Sequence, residues 1–183
     1  RASARAALLL SQKGITTKDI LTDRAIENAM MVHAAFGGST NLLLHIPAIA
    51  PQAGCHIPTV EDWIRINKQV PRLVSVLPNG PVYHPTVRAF MAGGVPEVML
   101  HLRQLGLLHE DVMTVTGSTL GENLDWWQRS ERRQIFKNLL LSQEQVDPQE
   151  VIMSAQQAQK RGLTSTMTFP VGNIAPEGSV IKS

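Results

Sequence analysis

Phe36-Gly37-Gly38-Ser39-Thr40-Asn41-Leu42-Leu43-Leu44-His45 joins a helix-ending signal directly to a helix-starting one, and no other stretch restricts the possible folds as tightly. The two glycines let the backbone take positive φ and leave the first helix, and Ser39 or Thr40 can cap the next. Amides exposed at such a start can receive a carboxylate or another anion. Gly93-Gly94 ahead of Val95-Pro96-Glu97 repeats the device, with Pro96 suited to the first helical position and Glu97 to the positive end of the dipole.

Helical signals fill the first half of the chain. Ala4 to Lys13 is rich in Ala and Leu and ends at Gly14, Thr16 to Asp19 offers a cap and a first-turn acid for a short helix through Leu21, and Thr22 or Asp23 can cap the next. Ile26, Ala29, Met30, His33 and Ala34 recur at helical spacing and predict a helix from Arg24 to Phe36 with one apolar face. After Ser39, Leu42, Leu43, Leu44, Ile46 and Ile49 predict a buried helix that Pro47 bends or shortens and that Pro51 and Gly54 finish. Thr59-Val60-Glu61-Asp62 reads as a capping box for a helix from Glu61 to Gln69 with Trp63, Ile64 and Ile66 inward. A short helix is expected from Pro85 to Met91, then one with Val98, Met99, Leu102 and Leu105 as its core stripe, stopped by Gly106.

Strand signals are fewer. Val70 to Leu77, an apolar run between prolines, predicts a buried strand, followed by a loop over Pro78-Asn79-Gly80-Pro81. Val112-Met113-Thr114-Val115 predicts a second strand, running into the turn Thr116-Gly117-Ser118-Thr119 and a further helix, the local unit of an α/β domain. Arg129 to Leu141 reads as a charged amphipathic helix, and helix and strand signals mix from Asp147 onward. From Thr164 to Phe169 polar and apolar residues alternate, turns follow through Gly178, and Ser179 to Lys182 begins another strand. These shifts divide the chain into an α/β part over 1–128, a linking segment with a helix over 129–164, and the start of a β-rich domain over 165–183.

Composition narrows the function. The 183 residues are 43% hydrophobic and 17% charged, a globular balance, with a formal net charge of only +2 and 4% aromatics, so a nucleic-acid surface is not expected. The longest apolar runs are far too short to span a bilayer, and Arg1-Ala2-Ser3-Ala4-Arg5 does not lead into a signal-like segment, so a cytoplasmic piece of a longer protein is expected. A single cysteine, Cys55, rules out an internal disulfide or a cysteine-only metal site, and the six histidines lack ligand spacing. His33 and His45 lie near the first glycine pair, where a histidine bonded to a backbone carbonyl is the plainer account. Neither glycine-rich start is a phosphate loop or a dinucleotide fingerprint, and Glu61, Asp62, Glu97, Glu122 and Asp125 read as first-turn or surface acids. The residues alone describe an α/β domain with two glycine-rich helix starts and no complete catalytic set. A stand-alone module binding a small anion, or a purely structural fragment, remain open on these grounds.

Several stretches taken together resemble the dihydroxy-acid dehydratase and phosphogluconate dehydratase family. They are Gly37-Gly38-Ser39-Thr40-Asn41 with Ala48-Ile49-Ala50, Gly93-Gly94-Val95-Pro96 with Val98-Met99, Leu107-Leu108-His109, Thr114 to Asn123, and Gly172-Asn173-Ile174-Ala175-Pro176-Glu177-Gly178. Pro78 to Pro85 and Leu124-Asp125-Trp126-Trp127 look most like its bacterial sugar-acid, xylonate-type branch. The resemblance implies the C-terminal part of the family's N-terminal α/β domain, running into the first strands of a β-barrel-like C-terminal domain. It implies a hydro-lyase that removes water from a 2,3-dihydroxy carboxylate to give a 2-keto acid. In such an enzyme an iron–sulfur cluster assists departure of the 3-hydroxyl, Mg2+ holds the carboxylate side, and a serine alkoxide takes the C2 proton. The cluster cysteines, most magnesium ligands and the base serine fall outside these residues, so this chain holds no catalytic or metal-binding residue of its own by that comparison. Cys55 matches no cluster-cysteine motif. Ser39, Thr40 and Asn41 are the expected contributors to the substrate pocket, with a sugar acid as small-molecule partner and a homo-oligomer as the full-length assembly.

Overall fold

The helix α3 (Asp23–Phe36) is the axis of the fold, because Ile26, Met30, Met31, His33, Ala34 and Ala35 all leave solvent along it. The computed structural model describes residues 2–78, 82–163 and 167–182. Asn79 to Pro81 of the expected loop and Thr164 to Thr166 of the expected strand lie outside the described residues. Ahead of α3 come α1 (Ala2–Gln12) and the single turn α2 (Thr17–Ile20), whose Asp19 carboxylate accepts hydrogen bonds from the Thr16 N–H and hydroxyl. Thr22 caps α3 by accepting from the Ala25 amide.

Three helices then enclose α3. α4 (Leu42–Ala53) and α5 (Val60–Gln69) pack on it, and so does α7 (Gly94–Gln104), which the short α6 (Thr86–Met91) leads into. In α5 the capping box predicted at Thr59 and Asp62 is formed, with Trp63 and Ile66 buried. α4 ends at Gly54 as expected, but it continues through Pro47 to Ala53 and is not a buried helix: only Ile46 and Ala50 are buried, while Leu44 is 73% and Ile49 45% exposed. Pro47 and Pro51 stand four residues apart on one face, so their missing donors fall together. Pro96 also sits inside α7, which begins at Gly94 and not at the proline.

The two predicted strands are not ladders among the described residues. Val70 and Leu73 to Val76 are buried while Leu77 is exposed, and the run pairs only at single bridges among the described residues, Val74 with Ile152 and Val76 with His84. The Leu73 amide donates to Ala35 O of α3 at 2.8 Å, while Ser75 N to Val151 O at 2.9 Å and Met153 N to Leu73 O at 2.7 Å tie the segment to a remote stretch. With Leu77 N donating to His84 O at 2.9 Å, the run satisfies its backbone against three different partners and builds no sheet among the described residues. Met113 bridges Thr119 across a tight loop, with Thr114 N donating to Ser118 O, so the second run is one arm of a turn.

α8 (Leu120–Arg129) follows that turn, with Thr119 and Glu122 as its capping box, and α9 (Glu131–Glu144) packs against α6 and α8. α10 (Pro148–Val151) and α11 (Ala155–Lys160) complete the helices, the latter capped by Ser154 and Gln157. β1 (Met167–Thr168) and β2 (Ile181–Lys182) pair antiparallel and form the one sheet of the described residues. The α/β expectation is thus corrected to a mostly helical architecture carrying a two-stranded sheet. No helix among the described residues is long and apolar enough to cross a membrane.

Candidate functional site

The chain leaves α3 at Gly37, whose φ of 70° is left-handed, and the Gly38 amide donates back to His33 O at 2.9 Å. Ser39, Thr40 and Asn41 then form an exposed turn, with the Ser39 hydroxyl accepting from the Asn41 amide at 3.3 Å. Neither Ser39 nor Thr40 is the cap residue of α4: Asn41 occupies that position, in helical geometry and without a side-chain cap bond. The turn carbonyls take over that task. Ser39 O accepts from Leu42 N at 3.1 Å, Thr40 O from Leu43 N at 3.0 Å, and Asn41 O from Leu44 N and His45 N at 3.1 and 3.0 Å. The first-turn amides of α4 are thereby occupied within the chain, which removes the backbone anion cradle expected there.

Beneath the turn lies His33, 3% exposed. Its Nε2 is 2.9 Å from Ser39 O, and Trp63 meets the ring edge-on at 5.4 Å between centroids. A carbonyl can only accept, so Nε2 carries the proton, and Nδ1 is enclosed without a hydrogen-bond partner. Burial holds the imidazole below its ordinary range, opposed by the Ser39 carbonyl and reinforced by Lys182. A β-carbon on Gly38 would stand 2.2 Å from His33 Cδ2, so glycine at that position makes room for the ring.

The second glycine pair is built differently. Gly93 has φ 122°, and a β-carbon there would stand 2.7 Å from Cβ of Glu97 and 2.9 Å from its Oε2. Glu97, expected as a first-turn or surface acid, is 4% exposed. Arg133 donates to both its carboxylate oxygens at 2.7 and 2.8 Å, and Lys137 to Oε1 at 2.6 Å. Burial pushes this carboxyl up, but the hydrogen bonds and charges of Arg133 and Lys137 outweigh it and hold the group below the usual carboxylate range. A cleft of about 670 Å³ opens beside it, also lined by His101, Arg103, Glu110 and Asp125. Its acids and bases are mutually paired, Arg103 with Glu110 at 2.8 Å and Asp125 at 2.6 Å.

The turn over Thr116-Gly117-Ser118-Thr119 is wired to itself. Asn123 Nδ2 donates to Thr114 Oγ1 at 2.7 Å and to Thr119 O at 2.9 Å, and Thr116 Oγ1 donates to Asn123 Oδ1 at 3.0 Å. Cys55 is equally quiet: its thiol donates to Leu21 O at 3.3 Å, and burial followed by the Asp23 charge raises its pKa. Among the described residues no group of three or more His, Cys, Asp or Glu side chains could hold a metal ion.

Residues 1–123 match the family described as Dihydroxy-acid/6-phosphogluconate dehydratase N-terminal. The chain belongs to that dehydratase family. Over all 183 residues it is 87% identical to D-xylonate dehydratase YjhG and 71% identical to D-xylonate dehydratase YagF, both of Escherichia coli (strain K12). It is 39% identical over the same length to the dihydroxy-acid dehydratase of Mycobacterium sp. (strain JLS). The chain spans 28% of the length of each of these relatives. His33 meets a backbone carbonyl, as its place beside the first glycine pair indicated, but the sequence did not show that Gly38 closes over its ring or that Glu97 is buried under Gly93. The available signal was their spacing: His33 lies five residues before Gly38, and Glu97 four after Gly93.

Proposed function

We propose that the chain is part of a sugar-acid hydro-lyase that converts an aldonate such as xylonate to a 2-keto-3-deoxy acid and water. The observation that carries this reading is identity of 87% and 71%, over the whole chain, to two D-xylonate dehydratases, against 39% to a dihydroxy-acid dehydratase. In this reading residues 1–128 close the cluster-binding domain, 129–164 connect it, and 165–183 enter a β-barrel-like domain. The assembly is a cytoplasmic homo-oligomer. The iron–sulfur cluster and Mg2+ do not fit the residues present: Cys55 is a lone thiol with a raised pKa bonded to a carbonyl, and the acids of the Glu97 cleft are already paired. Those groups are assigned to parts of the polypeptide beyond these residues, and no step is drawn through them.

The contribution of this chain is to bind and orient. Ser39, Thr40 and Asn41 offer hydroxyl and amide groups on an exposed turn whose backbone is held by α4, which suits them to meet the hydroxyls and carboxylate of an aldonate at a pocket wall. A small-anion module is less favoured. The α4 amides are occupied, and beside the α7 start stands the buried Glu97 carboxylate, itself negative and saturated by Arg133 and Lys137. In the full-length enzyme Asn41→Ala should lower kcat/KM for xylonate roughly ten-fold, the worth of one lost hydrogen bond, with the melting temperature retained. Unchanged kinetics would confine the turn to helix packing.

A further inference from the structure

The Ser39–Asn41 turn is exposed, yet it does not rest on its own contacts. Ser39 O receives two donors, the Leu42 amide from ahead and the His33 Nε2–H from below, at 3.1 and 2.9 Å. Among the described residues the second of these is the side-chain hydrogen bond that ties the turn to the helix before it. The ring that makes it has little freedom. Trp63 stands edge-on to it, and the ring occupies the space a β-carbon on Gly38 would need, 2.2 Å from His33 Cδ2. Its proton has one place: Nε2, facing a carbonyl, because Nδ1 is enclosed and unpartnered. A ring protonated on both nitrogens would bury an N–H with no acceptor.

We propose that His33 is a positioning residue for the substrate pocket: its Nε2–H, donated to Ser39 O, sets where Thr40 and Asn41 stand. This rests on the reading of Ser39–Asn41 as pocket wall. The physical logic is that side chains on a turn are only as well placed as the peptide that carries them, and displacement by about 1 Å is enough to cost affinity or rate. His33 touches no reacting atom in this account. It acts through the Ser39 peptide, and its imidazole serves better than an aliphatic side chain because one rigid ring both fills the space over Gly38 and donates.

The test uses the full-length metal-loaded enzyme with xylonate, comparing His33→Leu, His33→Gln, Gly38→Ala and Asn41→Ala. His33→Leu keeps the bulk and removes the donor. It should raise KM roughly ten-fold with kcat changed less than about two-fold, and His33→Gln, which restores an N–H donor, should return KM to within about three-fold of the parent. A lowered melting temperature with parental KM, or a His33→Gln enzyme as impaired as His33→Leu, would overturn the proposal, since packing alone would then account for the residue. If His33→Leu yields no folded enzyme, Gly38→Ala decides: it displaces the ring without removing it, and must raise KM in the same way. Parental kinetics in Asn41→Ala would instead sink the pocket-wall reading and this proposal with it. Impaired Asn41→Ala beside parental His33→Leu would sink the positioning role alone.

Discussion

The two glycine pairs, alike in sequence, close over opposite kinds of buried group. At Gly38 a neutral imidazole from the preceding helix is held by one carbonyl and leaves Nδ1 unpartnered, beneath an exposed turn. At Gly93 an ionised carboxylate from the following helix is saturated by two cations of α9, with side-chain exposures of only 22% for Arg133 and 20% for Lys137. The difference teaches what each junction is for. A buried charge held by three hydrogen bonds from two cations ties α7 to α9 and has no capacity left for a ligand. A single neutral hydrogen bond holds a turn in place while leaving its side chains to solvent.

That contrast can be broken by mutation. The largest effect is expected from Gly93→Ala, which combines a φ of 122° with a β-carbon 2.7 Å from Glu97 Cβ, an atom that cannot swing away. About 3 to 4 kcal/mol should be lost in urea unfolding, through overpacking and backbone strain together. Glu97→Gln should cost about 3 kcal/mol by the same measurement, because two largely buried cations lose their counter-charge. Should Glu97→Gln prove near neutral, the clamp is not what holds α9. Gly38→Ala should cost less, about 2 kcal/mol, since the clashing atom belongs to a side-chain ring. In a His33→Ala background most of that cost should vanish, and a cost that persists would show that the ring is not the obstruction.

The smallest effect separates the junctions by pH. His33 and His101 are both held below the ordinary histidine value, in each case first by burial. As pH falls through about 6.5 the unfolded chain takes up their protons before the folded one does, so stability drops by up to about 1.4 kcal/mol per pH unit for each such group. Glu97 acts later. Its depressed pKa contributes stability that is present above the ordinary carboxylate range and is lost as pH falls through it. Urea midpoints measured from pH 8 to pH 3 should therefore show a first slope, near the ordinary histidine value, that His33→Gln reduces and a later one, below the ordinary carboxylate value, that Glu97→Gln removes. A single slope insensitive to both substitutions would refute the distinction.

Helix starts and stops were legible because their causes lie within one turn of chain. The Thr59 and Asp62 box, the Thr22 cap and the glycine ends at 14, 54 and 106 all formed where the residues indicated. The capping box at Ser154 and Gln157 carries the same local signal, yet α11 was hidden in a stretch of mixed propensity. The strands at 70–77 and 112–115 were misread for a different reason. An apolar run announces burial, but whether it enters a ladder depends on which backbone lies beside it, and here Ala35, His84 and Val151 supplied separate partners.

The candidate site divides in the same way. Sequence by itself determined that the chain breaks at Gly37-Gly38 and starts again through Ser39, Thr40 and Asn41, and resemblance along its motifs indicated the dehydratase family. Only the tertiary structure decided why those glycines are required and what the junctions can still do. The space over Gly38 is taken by a ring wedged against Trp63, and the space over Gly93 by a carboxylate whose partners lie 36 and 40 residues downstream. Backbone geometry is a local property that residue type can set. Occupied volume and charge compensation depend on which distant side chains arrive there, and that is settled only by packing.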